Sequence, residues 1–98
     1  MASVWDEVAS AANKTPQQLE QEALMAWISR EMAETDQEIL AYVRQYRVIH
    51  PEQLEAAIRA GTIEGHPAWE DVIDWTNLIQ YRETLLVLQT HRTLEFLS

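Results

Sequence analysis

The densest group of chemistry-bearing side chains is His66, Glu70, Asp71 and Asp74, with Glu64 just upstream. His66 and Glu70 stand four residues apart. On a helix that spacing puts an imidazole and a carboxylate on one face, as metal sites often require. A complete site needs a third ligand, and the neighbouring sequence defines none. The same residues have a plainer structural role. Acidic groups in a first helical turn complement the helix dipole, and His66 stands in the N-cap slot ahead of Pro67. No metal ligand is assigned. Glu70 and Asp74 repel one another at i, i+4, and no Lys or Arg occurs between Arg59 and Arg82 to relieve them. The patch is uncompensated, and Trp69 and Trp75 flank it. Trp27 and Trp75 follow apolar stripes and are expected in the core. Trp69, about 100° off the stripe, is expected to be a partly exposed anchor. Trp69, Glu70, Asp71 and Asp74 together form the expected partner-binding surface for a basic protein.

Other chemistry is poorly represented. His50, His66 and His91 are far apart, and none has a nucleophile at a recognisable spacing. The chain lacks a pair of Glu-x-x-His motifs, a His-Glu-x-x-His motif, a glycine-rich phosphate loop, a Gly-x-Ser-x-Gly elbow and any cysteine. No catalytic residue and no cofactor are expected.

The elements that must position the acidic patch are helices. Two glycines and three prolines in 98 residues are too few turn residues for many short strands. A short helix is expected over Val4–Ala12, capped by Ser3, with Asn13-Lys14 as a tight break. A long helix is expected from Pro16 to about Tyr46. Thr15 and Gln18 form a capping box there, and Pro16 fills the first turn. Leu24, Ile28, Met32, Thr35, Ile39, Tyr42 and Tyr46 fall at alternating steps of three and four, the pattern of a coiled-coil seam. Leu19, Ala23 and Trp27 lie opposite, where the first helix can cover them.

Val48-Ile49 reads as extended. His50-Pro51 opens a third helix, which Gly61 terminates. Gly65-His66-Pro67 begins a last helix reaching about Phe96. It carries one apolar stripe of Ala68, Val72, Trp75, Ile79, Leu86 and Leu97, and a second of Leu78, Tyr81, Leu85 and Leu88. The expected fold is a single all-α domain over residues 1–98, an antiparallel hairpin of two long helices braced by two short ones. Within one chain the second stripe has no evident partner unless the third helix covers it. Leu78, Tyr81, Leu85 and Leu88 are therefore the expected oligomer interface of a homodimer.

Formal charge is −9, split as −4 over residues 1–49 and −5 over 50–98. Such a field repels phosphate backbones and anionic lipid and attracts basic proteins. DNA binding is not expected. No apolar run approaches a membrane span, no signal segment is visible, and the absence of cysteine suits a cytoplasmic setting.

Two segments carry a family resemblance. Trp5 to Leu19, continuing through Ala23-Leu24-Met25-Ala26-Trp27, resembles the helix-turn-helix half of ribbon-helix-helix antitoxins. His66-Pro67-Ala68-Trp69-Glu70-Asp71-Val72-Ile73-Asp74-Trp75 is similar to a segment of small prokaryotic antitoxin-like proteins. The resemblance implies a dimer that binds and neutralises a small basic toxin, often a ribonuclease. Only Met1, Ala2 and Ser3 precede the first helix, so the strand that reads the DNA major groove in that family is not expected here. The alternative is a structural or adaptor subunit of a helical assembly, built through the second stripe.

Overall fold

The computed structural model describes residues 3–97. The described residues form four helices and no strand: α1 (Val4–Ala12), α2 (Pro16–Tyr46), α3 (Pro51–Arg59) and α4 (Gly65–Leu97). The expected all-α hairpin with two bracing helices is the observed architecture. None of these helices is long and apolar enough to cross a membrane.

Local chemistry sets the helix ends. Ser3 and Asp6 form a reciprocal capping box at α1, with Ser3 N–H donating to Asp6 at 2.9 Å and Asp6 N–H donating to Ser3 Oγ at 3.2 Å. The Ser3 N–H first, and the Ser3 hydroxyl donating to the same carboxylate at 3.0 Å, hold the Asp6 carboxyl below its ordinary value. Thr15 and Gln18 form the equivalent box at α2, at 3.0 and 3.1 Å. Asn13 closes α1 in the left-handed region at φ 58°. Its N–H donates to Ser10 and that of Lys14 to Ala9, the paired bonds of a Schellman motif. Gly61, at φ 78°, does the same for α3, with its own N–H on Ile58 and that of Thr62 on Ala57. Arg47 ends α2 at φ 59° through a single bond to Val43. No sequence signal marked that arginine as left-handed. At the start of α3, Gln53 Oε1 accepts from the N–H groups of both Ile49 and His50. His66 has extended dihedrals (φ −118°, ψ 123°), so regular helix in α4 begins at Pro67.

The long helices run antiparallel, with their register fixed by cross-contacts. The Tyr42 and Trp75 rings stack with centroids 5.8 Å apart. Tyr46 donates to Asp71, and Arg82 Nε donates to Asp36 at 2.6 Å. α3 packs on the first half of α4, and α1 on α2. At the α3 end, Leu54, Ala68, Val72 and Trp75 are buried together beneath Ile39, Tyr42, Val43, Val48, Ile58 and Ile79.

The other end is thinly covered. Ala9, Ile28 and Leu85 are buried there, while Val4, Trp5, Val8, Leu24, Leu88 and Leu94 are exposed. Trp27, expected in the core, is 42% exposed. The first helix does not blanket it, because α1 has nine residues and presents a small side chain, Ala9, as its buried contact. The molecule measures 63 × 25 × 20 Å with a radius of gyration of 19.7 Å. A compact domain of this length would have about 13 Å.

Candidate interaction groove

Steps of three and four residues keep side chains on one flank of a helix. Tyr81 of α4 donates a 2.7 Å hydrogen bond to Glu31 of α2, which shows which two flanks face each other. On α2 that flank continues back through Trp27 and Leu24 and forward through Glu34 and Glu38. On α4 it runs back through Leu78, Asp74 and Asp71 and forward through Leu85 and Leu88. Towards α3 the two flanks wall a groove whose lining is acidic and aromatic: Glu38, Tyr42, Asp71, Asp74, Asn77, Leu78 and Tyr81, with Ala41 and Gln45 and no basic residue. At the far end Leu24, Trp27 and Leu88 of the same flanks are exposed.

All three phenols bordering the groove hold their protons more tightly than a free tyrosine. Burial pushes Tyr46 up to about 12, helped by its hydrogen bond to Asp71 and by that carboxylate's charge. Burial also raises Tyr42, with the charges of Asp71, Asp74 and Glu38 adding to it. Tyr81 is raised mainly by its bond to Glu31. Near neutral pH all three hydroxyls keep their protons, and the carboxylates supply the groove's charge.

A pH dependence follows. Tyr46 holds its proton more tightly folded than unfolded, so its stabilisation is complete below pH 10 and is lost as pH rises from 10 towards 12. Urea midpoints should fall over that interval, and Tyr46→Phe should flatten the fall. An equally steep loss in the variant would assign the effect elsewhere.

The structure divides the expected partner-binding surface. Asp71 and Asp74 line the groove. Glu70 faces solvent beside the still more exposed His66, at 3.6 Å. Trp69 lies roughly 200° around the helix from Asp71. Its ring rests over Gly65, where an added Cβ would meet Trp69 Cδ1 at 2.9 Å. Four nearly consecutive residues cannot share one face when each step turns the helix by about 100°. Among the described residues no three metal-ligating side chains gather.

The second stripe is also divided. Leu78 is half-buried on the groove wall, and Tyr81 and Leu88 are exposed. Leu85 corrects the expectation of a free face: it is 1% exposed, in the seam with α2. Leu86, placed by the sequence on the main stripe, is 43% exposed instead. α3 lies against the Ala68–Trp75 part of α4 and does not reach this stripe.

Glu38 and Tyr42 are groove residues that the spacing on α4 alone does not reveal. Their spacing on α2 was visible, but nothing local said which flank of α4 they would face.

Residues 1–89 match the family model described as Uncharacterized protein MJ0235 family. No curated protein and no solved structure matches the chain.

Proposed function

We propose that this chain, which belongs to the Uncharacterized protein MJ0235 family, is a protein-binding module that holds a basic segment of a partner in the acidic α2–α4 groove. The observation that carries the reading is the convergence of Glu38, Asp71 and Asp74 from two helices on one groove whose lining contains no cation. A lysine or arginine entering it would meet carboxylates on both walls and the rings of Tyr42 and Tyr81. Ion pairing and cation–π attraction would then act together. The sequence resemblance adds a partner class: a small basic protein of toxin type, whose anion-binding surface the groove would occupy. Neutralisation would then be competition for that surface.

The test uses a lysine-rich amphipathic peptide as probe, titrated at low and high salt. Binding to the wild-type chain should weaken with salt. The triple variant Glu38→Gln, Asp71→Asn, Asp74→Asn should weaken it by about tenfold or more. A control with the same charge change outside the groove (Glu7→Gln, Glu52→Gln, Glu64→Gln) should bind nearly as the wild type does. Equal losses in both variants would mean that bulk charge, and not this groove, is responsible.

A second reading, a structural or adaptor subunit, draws on a different observation: the uncovered apolar side chains at the end of the hairpin remote from α3.

A further inference from the structure

We infer that a second copy of this chain covers the open end of the hairpin, through a face made by Trp5 and Val8 of α1, Leu24 and Trp27 of α2 and Leu88 of α4. All five side chains are exposed in the single chain. The buried side chains at this end, Ala9, Ile28 and Leu85, are few beside the continuous core at the α3 end.

Area sets the scale of what is missing. The chain exposes 7241 Å². A compact monomer of 11.4 kDa would expose roughly 5,800 Å², which leaves a surplus of roughly 1,400 Å². That surplus is spread along a hairpin 63 Å long and exceeds the roughly 800 Å² that a stable interface hides on each partner. The residues of the inferred face also suit such an interface, since two of the five are tryptophans.

Charge permits the pairing. Lys14 is paired with Glu22, and Arg92 with Glu95 at 3.0 Å, so part of the charge at this end is already compensated within the chain. Asp71 lies 17 residues from Leu88 along α4, about 25 Å at 1.5 Å per residue. That is more than twice the screening length of about 8–10 Å in physiological salt. Asp71 and Asp74 therefore lie outside the inferred face. A two-fold axis makes the contact isologous and closed, each copy burying the same patch. A foreign partner would need a matching apolar surface of its own, whereas the second copy carries one by identity.

The experiment is sedimentation equilibrium with light scattering on the full chain, together with tryptophan emission across a dilution series. The expected result is a mass twice 11.4 kDa at micromolar concentration, insensitive to added salt, with emission shifting to the red on dilution as Trp5 and Trp27 become wet. Trp27→Glu and Leu88→Glu should each weaken association by about tenfold or more while keeping the far-ultraviolet helix signal. The second variant reads the outcome if the first does not fold. Asp71→Asn with Asp74→Asn should stay dimeric, which separates this face from the groove of the proposed function. A monomer at all accessible concentrations would overturn the inference. So would a dimer indifferent to both glutamate substitutions, or one that dissolves in high salt.

Discussion

Replacing Trp75 with alanine is expected to remove about 3–5 kcal/mol of stability and to leave the chain partly or wholly unfolded at room temperature. Trp75 is fully buried, the largest side chain so placed. It joins three structural layers: it stacks on Tyr42 of α2, clusters with Leu54 of α3, and fills the turn of α4 between Val72 and Ile79. Domains generally stand only about 5–15 kcal/mol above unfolding, and this one concentrates its core at a single end. Trp75→Phe is the informative companion. Its ring preserves the stacking and most of the volume. It also removes the indole Nε1–H, which is buried with no acceptor among the described residues. An unsatisfied buried donor costs about 1–3 kcal/mol, which offsets part of the lost packing. Urea denaturation followed by circular dichroism, at one fixed protein concentration, should rank wild type and Trp75→Phe close together with Trp75→Ala far below. An alanine variant melting within about 1 kcal/mol of wild type would show that the core is not centred on this residue.

The second large effect concerns adjacent leucines. Leu85→Ala is expected to cost about 2–5 kcal/mol, while Leu86→Ala should lie within about 1 kcal/mol of wild type. The contrast arises because Leu85 is sealed between the long helices and Leu86 is 43% exposed. Reading the stripe outward from Ala68, Val72, Trp75 and Ile79 points to Leu86 only if Arg82 is passed over as a charged residue. The seam does not pass over it. Arg82 is half-buried and reaches across to Asp36 with its guanidinium. The inward positions therefore continue as Arg82, Leu85 and Gln89. Val72, Ile79 and Leu86 follow one another at steps of seven and share one side of α4. Val72 and Ile79 pack in the cluster that Leu54 of α3 completes, and Leu86 lies beyond it with nothing among the described residues to cover that side. Equal costs for both leucines would disprove this phase.

The two effects also bear on function. Trp75 holds α2 and α4 at the spacing that lets Glu38 and Tyr42 face Asp71 and Asp74. Leu85 sets the rotation of α4 that turns Leu88 outwards. Loss of the first should therefore disturb the acidic groove, and loss of the second the open apolar end.

What could be read directly from the chain was whatever a residue decides with its near neighbours. Ser3, Thr15 with Gln18, Asn13, Pro51 and Gly61 determine where helices start and stop, because a cap needs only partners within one turn. The seam face of α2 and the burial of Trp75 were legible for the same reason, since periodicity records which side of a helix avoids water. Tertiary structure alone decided which flank of α4 meets which flank of α2. That choice depends on the register between residues up to 50 positions apart and on how far α3 covers α4. It placed Asp71 opposite Glu38, turned Trp69 away from both, hid Leu85 and left Trp27 in water. No local pattern encodes an azimuth fixed by the packing of a distant helix.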